Sequence, residues 1–319
     1  MYRHLDDSNI KSKGCVSVNV LVLGGSGFIG SNLCETLVQL GHHVKIMDRS
    51  MKKTDFNFTQ IEFIEADFTQ IEDFKPILQG IDIIYHLIST TVPATSNVNK
   101  IYDISSNVCS TIQLLDACVQ TGVKKIIFLS SGGTIYGQTE VNLIPEEHPT
   151  NPICSYGIQK LTIEKYLYYY NHEYGLDYHI IRLANPYGKG QIGKNGQGVI
   201  PIFIRKIMNN EEIQIWGDGS TTRDYIYIDD ATQALCMLLE YKGDCKLYNL
   251  GSGQGVSLLD IVNCISEVVN IQAKIRFMEA RSIDVKSNVL DISKITKELH
   301  WEPRKKLKDG IYQMYLDIK

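Results

Sequence analysis

The sequence predicts an α/β protein with a doubly wound parallel sheet and a smaller, mostly C-terminal α/β lobe. Between residues 18 and 185, short apolar runs alternate with segments of helical spacing, as in a parallel sheet with crossover helices. The run 81–88 is almost continuously apolar, which suits a strand covered on both faces. After residue 185 glycines and prolines crowd the chain and the elements shorten, which indicates a second lobe.

A glycine-rich turn organises the first half of the chain. An apolar run from Val18 leads to Gly24, Gly27 and Gly30, then to a helical segment and a second apolar run ending at Asp48. In this pattern the first glycine permits a tight turn, the second lets the backbone approach a pyrophosphate, and the third lets helix pack on strand. Free amides at the helix N-terminus would bind the pyrophosphate, and Asp48 would accept hydrogen bonds from an adenosine ribose. We therefore predict a dinucleotide-binding (Rossmann) unit.

The next strand, Ile61 to Glu65, is followed by Asp67 and Phe68. An acid and an apolar residue at a strand end could hold an adenine by its amino group and its face. The same acid could equally cap a short helix, which we predict over 71–78.

The remaining elements complete the first unit. A polar loop at 89–93 follows the apolar strand, at the sheet edge where open α/β sheets bind ligands. We predict a helix at 101–120, a strand at 124–130, a helix at about 155–174 and a strand at 178–183. The predicted organisation is an N-terminal extension at 1–17, a dinucleotide-binding unit at 18–185 to which 223–250 returns, and a substrate lobe at 186–222 and 251–319.

Composition excludes several classes of protein. The chain has 319 residues, 44% hydrophobic and 21% charged, and a formal net charge of -4, which argues against a nucleic-acid binder. No apolar run approaches the ~20 residues that span a bilayer, and the N-terminus lacks a signal-peptide core, so we expect a cytoplasmic protein. None of the eight cysteines forms a close C-x-x-C pair, and we expect reduced thiols and no metal site.

Tyr156 and Lys160 are the first candidates for catalysis. Four residues apart at the start of a predicted helix, they share one face. A lysine ammonium at ~4 Å would stabilise a phenolate by ~4 kcal/mol at an effective dielectric constant of ~20, which is about three pKa units. Tyr156 could then exchange a proton with a sugar hydroxyl near neutral pH while hydride moves to a nicotinamide.

The motifs now resemble a known family. Matching stretches are the glycine turn, Asn107 to Thr111, Tyr156 with Lys160, Arg182 to Gln191, Trp216 to Asp230, Tyr248 to Gly253, and Arg281 with Asp284. The chain resembles the extended short-chain dehydrogenases/reductases of the NAD-dependent nucleotide-sugar epimerase/dehydratase group from Val18 to its C-terminus, and is most similar to the UDP-glucose 4-epimerases.

The resemblance implies NAD as cofactor and a UDP-sugar or another nucleotide-sugar as substrate. Tyr156 resembles the catalytic acid/base, and Lys160 binds the nicotinamide ribose. The implied cofactor-binding residues are Gly24, Gly27, Phe28, Ile29, Gly30, Asp48, Asp67, Phe68, Leu87, Ser89, Asn107, Ser130, Tyr156 and Lys160. The implied substrate-binding residues are Thr90, Asn185, Arg223, Arg281, Asp284 and Asn288. For the arginines the alternative is an ion pair, of Arg223 with Asp224 or Asp229 and of Arg281 with Asp284.

One position departs from the family pattern. The serine or threonine expected four residues before Tyr136, hydrogen-bonded to the reacting sugar hydroxyl, is Gly132. Ser131 and Thr134 flank it, and either hydroxyl could substitute, with Thr134 slightly favoured. The proton relay is therefore open.

A nucleotide-sugar 4-epimerase is the first interpretation of these features. A 4-keto-6-deoxysugar reductase would use the same residues once, and an inactive nucleotide-sugar-binding protein is the third possibility. Gly133 and Thr134 replace the acid pair typical of dehydratases. The family also implies a homodimer formed by the helices at 101–120 and 155–174. Asn288, at a position where a tyrosine is associated with rejecting N-acetylated sugars, predicts acceptance of UDP-N-acetylglucosamine.

Overall fold

The structure, a computed structural model, describes residues 17–50, 61–193, 198–279 and 285–319. Its centre is a seven-stranded parallel sheet with the strand order β10-β6-β5-β4-β1-β2-β3. The strands are β1 (Asn19–Leu23), β2 (His43–Asp48), β3 (Ile61–Glu65), β4 (Ile83–His86), β5 (Lys125–Ser131), β6 (Asp177–Leu183) and β10 (Leu247–Leu250). The predicted fold class is confirmed. The strand order reverses between β1 and β4, which is where open sheets of this type bind ligands.

Helices cover both faces of this sheet. They are α1 (Phe28–Gln39), α2 (Lys75–Leu78), α3 (Pro93–Ser96), α4 (Lys100–Ile104), α5 (Ser110–Thr121), α6 (Ser155–Tyr174) and α8 (Ile228–Glu240). On one face α1 and α8 pack against each other and the sheet, burying Leu33, Leu37 and Leu235. On the other face α2, α5 and α6 bury Leu78, Leu114 and Ile163. Among the described residues, helices thus cover both faces of the sheet, which leaves the strand ends as the place for a ligand.

The second lobe is built on two smaller sheets. In the larger, β9 (Thr222–Tyr227) pairs with β7 (Asn185–Tyr187), β11 (Gly255–Ser257) and β13 (Ser287–Asn288). In the other, β8 (Glu212–Trp216) lies parallel to β12 (Lys274–Met278). The helices of this part are α7 (Val199–Met208), α9 (Leu258–Val269), α10 (Ser293–Leu299) and α11 (Leu307–Ile318). Of the segment 223–250, α8 and β10 pack in or against the parallel sheet, whereas β9 pairs with the strands of the smaller four-stranded sheet.

Two predicted helices differ from the structure. The helix expected at 71–78 is shorter, with only α2 and a 3-10 turn at Phe68–Gln70. The helix expected at 101–120 is divided by a π-helical turn, Ser105–Cys109, between α4 and α5. In that turn the side-chain amide of Asn107 (Nδ2) donates to the backbone carbonyl of Asp103 (2.8 Å), and Thr111 Oγ1 donates to the backbone carbonyl of Asn107 (2.6 Å). Polar side chains that compete for backbone groups in this way locally disrupt the regular α-helix.

No helix in the described segments is long and apolar enough to cross a membrane. Within the same segments, no group of three or more potential metal ligands is found, and the seven cysteines are free thiols.

Candidate active site

A cavity of about 590 Å³ opens at the carboxyl ends of the parallel strands. Its lining runs from the glycine turn and α1, past the ends of β4 and β5 and the first turns of α6, to β7, the start of α7, and β9. Both parts of the chain therefore contribute to a single site.

The glycine turn forms one end of the cavity. Gly24 has φ +82°, in the left-handed region that favours glycine. At Gly30 a Cβ atom would lie 2.3 Å from the Gly24 carbonyl oxygen, so α1 packs directly on the turn and no larger residue fits. The N-cap residue of α1 is Gly27, which has no side chain to cap the helix, so the amides of the first turn are available to an anion. Phe28 and Ile29 line the cavity beside the three glycines. This geometry fits a pyrophosphate.

Asp48 lies where β2 ends, beside the glycine turn. One carboxylate oxygen accepts from the Ser26 amide (3.1 Å) and the other from the Arg49 amide (2.8 Å). These bonds hold the negative charge against the turn.

For Asp67 the structure shows the capping alternative. Its carboxylate accepts from the amide and the hydroxyl of Thr69 (2.9 and 2.8 Å) and caps the 3-10 turn. The Phe68 ring is buried in the core against Phe74 and His86, and the adenine contact predicted for this residue stays a prediction.

Tyr156 and Lys160 both line the cavity. The Lys160 ammonium donates to the Leu129 carbonyl (2.9 Å) and lies 5.7 Å from the centroid of the Tyr156 ring. Burial lowers the pKa of Lys160 to about 7, and raises the pKa of Tyr156, with contributions from Cys154 and Asp103, to about 12. The predicted lowering of the phenol pKa by Lys160 is therefore not seen, because burial, Cys154 and Asp103 all raise it. A cationic ring bound beside the phenol would act in the opposite direction.

A buried ion pair stands behind the catalytic pair, and the sequence analysis missed it. Glu164, one helical turn after Lys160, accepts from Arg182 Nε (3.1 Å) and Nη2 (2.7 Å), with both side chains 5% exposed. Ser130, which lines the cavity, donates to the same carboxylate (2.7 Å). The available signals were an arginine near the end of a largely apolar strand and an acid on the Tyr156–Lys160 face.

The departure at Gly132 has a steric cause. A Cβ atom there would lie 2.5 Å from Leu290 Cδ1 and 3.1 Å from the Arg182 carbonyl oxygen, so no larger side chain fits without movement. Its neighbours Ser131 and Thr134 line the cavity. The Thr134 hydroxyl is buried without a hydrogen-bond partner among the described residues. The Thr134 hydroxyl can therefore donate a hydrogen bond to a ligand or accept one from it.

The predicted residues at the end of β4 and in the loop after it differ in their relation to the cavity. Leu87 and Ser89 line it. Asn107 does not: its Oδ1 accepts from the Thr90 amide (3.0 Å) and its Nδ2 donates to Thr90 Oγ1 (2.8 Å). Asn107 and Thr90 thus bond to each other and fix the loop after β4, and their predicted contacts with cofactor and substrate stay predictions.

Two of the predicted substrate-binding residues, Asn185 and Arg223, line the cavity. Asn185 Nδ2 donates to the Asp224 carbonyl (2.9 Å), and Arg223 Nη1 donates to the carbonyls of Thr222 (2.8 Å) and Val285 (2.7 Å). The buried Asp224 carboxylate accepts hydrogen bonds from the backbone amides of Ser252, Gly253 and Leu290.

Three further substrate predictions have different outcomes. Arg281 and Asp284 lie outside the described residues. Asn288 is 1% exposed, donates to the Gly132 carbonyl (3.1 Å), and lies behind the cavity lining. The sequence analysis missed the apolar and aromatic lining contributed by Pro93, Tyr187, Val199, Ile200 and Tyr225, together with Gln191.

Comparison with known proteins decides the family. Residues 20–251 match the profile described as the NAD dependent epimerase/dehydratase family. The chain belongs to this family. NAD is the cofactor of the family, and the glycine turn and its free amides fit it.

Three similar proteins illustrate the family. The chain is 34% identical to a putative UDP-glucose 4-epimerase of Methanocaldococcus jannaschii, over 92% of this chain and 95% of that protein. It is also 34% identical to a dTDP-4-dehydro-6-deoxyglucose reductase of Escherichia coli, over 94% and 97% of the two chains. The crystal structure of a UDP-glucose 4-epimerase of Thermotoga maritima with UDP-glucose has a TM-score of 0.89 at 33% identity, covering 94% of this chain and 98% of that one.

Proposed function

We propose that the protein is an NAD-dependent nucleotide-sugar 4-epimerase that acts on a UDP-sugar. One observation carries this proposal. Tyr156 and Lys160 line the same cavity as the glycine turn, which fits a pyrophosphate, and as Asn185 and Arg223, which can bind a second anionic group. A sugar held by its diphosphate at Asn185 and Arg223 would reach the phenol on the side where a nicotinamide would lie. The epimerases of Methanocaldococcus jannaschii and Thermotoga maritima are similar to the chain over nearly its whole length.

Each residue has a defined task in this reaction. Tyr156 takes the C4 hydroxyl proton and later returns it, while Lys160, beside the phenol, favours its ionised form. NAD supplies the acceptor, and then the donor, of the C4 hydride. Arg223 offers planar paired donors to diphosphate oxygens, and Asn185 supports it from β7. Glu164 and Arg182 hold Ser130 and the end of β5 in place.

The hydroxyl that contacts the reacting sugar belongs to the loop after β5. Ser131 and Thr134 both line the cavity, and the unpartnered Thr134 hydroxyl favours the threonine. Turnover of Ser131→Ala and Thr134→Val assigns the role. The substitution with the larger loss of kcat at unchanged cofactor affinity identifies the contact.

A 4-keto-6-deoxysugar reductase is the second candidate, because the relative from Escherichia coli is as similar as the first epimerase relative. Cofactor stoichiometry separates the two activities. An epimerase returns the hydride, so one bound NAD supports many turnovers without net change in reduced-nicotinamide absorbance. A reductase oxidises one reduced cofactor for each product.

The deciding experiment incubates the protein with UDP-glucose, UDP-N-acetylglucosamine and UDP-glucuronate, without added cofactor, and measures the epimer ratio of each. Formation of an epimer from any of them supports the proposal. Stoichiometric loss of reduced cofactor with a 4-keto-6-deoxysugar, and no epimer from the three UDP-sugars, shows that the reductase assignment is right. Absence of all turnover supports the inactive binding protein.

We also propose that the protein is a homodimer. Exposed apolar side chains are concentrated on the two helical segments for which the family implies pairing. They are Ile101, Tyr102, Ile104 and Val119 on α4 and α5, and Ile158, Tyr168, Tyr169 and Tyr174 on α6. Location in the cytoplasm stays a prediction from the sequence.

A further inference from the structure

The first turn of α6, which carries Tyr156, is capped by another part of the chain. Its own N-cap residue, Cys154, makes no side-chain capping bond. Instead the Ser155 amide donates to Asn97 Oδ1 (3.0 Å), and the Tyr156 amide donates to Ser96 Oγ (3.1 Å). Orphan amides at a helix start are thereby satisfied from α3 and the residue after it. The position of Tyr156 therefore depends on the segment that follows β4.

Asp103 of α4 completes this connection. Its side chain is fully buried, and Oδ2 accepts from the Ser155 hydroxyl (2.6 Å). Oδ1 accepts from the Thr91 hydroxyl and from Asn107 Nδ2 (3.2 Å). Three side-chain donors therefore hold this carboxylate in one orientation.

No ion pair within 4 Å in the described segments includes Asp103. A buried carboxylate without a paired cation is costly, and such groups are retained where a site uses the charge.

The charges around the phenol define what Asp103 does. Lys160 faces Tyr156, and its pKa is raised by Glu164 and Asp103 against the lowering effect of burial. Glu164 has the larger of these two effects and is also paired with the Arg182 guanidinium, whereas Asp103 adds a second negative charge whose polar contacts are hydroxyl and amide donors.

Two more ionisable groups face the catalytic pair. His86 of β4 faces Lys160, but burial lowers the pKa of His86 to about 3, so this group is neutral at working pH. The Cys154 thiol faces Tyr156 from the helix start.

We propose that Asp103 is a positioning residue of the active site, which fixes the first turn of α6 and supplies the buried negative charge that balances Lys160 beside Tyr156. Through this charge Asp103 disfavours the phenolate and favours the ammonium in the enzyme at rest. Tyr156 is thereby held protonated unless a positive charge beside the phenol offsets the Asp103 carboxylate. The inference rests on the proposed function only where turnover is measured.

The test compares Asp103→Asn with Ser155→Ala, both in a Cys154→Ser background that removes the thiol titration. Removing a negative charge stabilises the phenolate and destabilises the ammonium, so both pKa values fall. We expect both limbs of the kcat/KM profile of the NAD-loaded enzyme to move toward acid by on the order of one pH unit in Asp103→Asn. Ser155→Ala loses the hydrogen bond but keeps the charge, and we expect lower kcat with neither limb moved toward acid. If the apparent pKa values of both limbs are the same in Asp103→Asn as in the parent, the proposal is overturned. A residue with a merely structural role would change only the maximum value of kcat/KM.

A second measurement needs no turnover. Tyrosinate absorbance of the cofactor-loaded protein is titrated with and without Tyr156→Phe, so that the difference isolates this phenol among the 18 tyrosines. We expect the Tyr156 signal to develop at lower pH in Asp103→Asn than in the parent. An unchanged midpoint contradicts the role of Asp103 even if no substrate is turned over, whereas a shifted midpoint without turnover contradicts only the epimerase assignment.

Discussion

Tyr156 is the residue with the most direct chemical role in the proposed reaction. In Tyr156→Phe the ring stays but the transferable proton is lost, so cofactor binding should remain nearly intact. We expect turnover to fall by on the order of 10²–10⁴, the usual contribution of a positioned acid/base. Tyr166→Phe, on the same helix and outside the cavity lining, is the matched control. Turnover of Tyr156→Phe within a few-fold of the parent would remove this residue from the mechanism.

Gly132 and Gly133 provide a steric test of the loop that replaces the family's serine or threonine. A serine at position 132 meets Leu290 and the Arg182 backbone, whereas a Cβ atom at Gly133 meets nothing within 4 Å. We expect Gly132→Ser to lower the free energy of unfolding by about 1–3 kcal/mol, the usual cost of overpacking. Gly133→Ser should leave it within about 0.5 kcal/mol. Urea unfolding of the two variants makes the comparison, and equal stabilities would show that Gly132 is not sterically required.

Asp48 sets the expected choice between NAD and NADP. The carboxylate is held against the glycine turn by two backbone amides, where it would repel a ribose 2′-phosphate at close range. We expect the parent to bind NAD more tightly than NADP. In Asp48→Asn the ratio of the two dissociation constants should be smaller, because the charge that repels the 2′-phosphate is lost. Dissociation constants for both cofactors test this, and tighter NADP binding by the parent would contradict it.

At the scale of elements, local signals were readable from the sequence and long-range contacts were not. The glycine turn and α6 depend on neighbouring residues, and both lie where they were predicted. The π turn at Asn107 was missed because the amphipathic pattern of 101–120 is continuous, although the polar side chains of Asn107 and Thr111 bond to the helix backbone there. The burial of the Phe68 ring in the core was not predicted, because an apolar residue after a strand has the same pattern whether it contacts a ligand or the core.

Strand β13 carries the prediction about the sugar. Asn288 lies behind Gly132, so a change at this position can act on the hexose through the loop after β5. We expect Asn288→Tyr to lower kcat/KM for UDP-N-acetylglucosamine by more than tenfold relative to UDP-glucose, since added bulk opposes the larger C2 substituent first. Steady-state kinetics with both sugars decide the matter, with a denaturation curve to exclude general unfolding. Equal losses for the two sugars would leave Asn288 without a role in selectivity.

At the scale of the whole molecule, two folding units share one cavity. The parallel sheet supplies the glycine turn and the Tyr156–Lys160 pair, and the second lobe supplies Arg223 and Tyr225 from β9. The parallel sheet could be predicted because strand and helix alternate regularly. The pairing of β9 with β7, β11 and β13 could not, since these strands are short and widely separated in sequence.

The proposed homodimer gives the last prediction. Ile101 is 82% exposed on α4 and Ile158 is 47% exposed on α6, and burying such side chains against a second copy removes apolar surface from water. We expect the parent to sediment as a dimer and the variant with Ile101→Asp and Ile158→Asp to sediment as a monomer, because two buried charges per chain would be unpaired in the interface. Phe277→Asp, at a 54% exposed position on β12, is the matched control and should remain dimeric. A monomeric parent, or a double variant that still forms the dimer, would show that these helices are not the pairing surface.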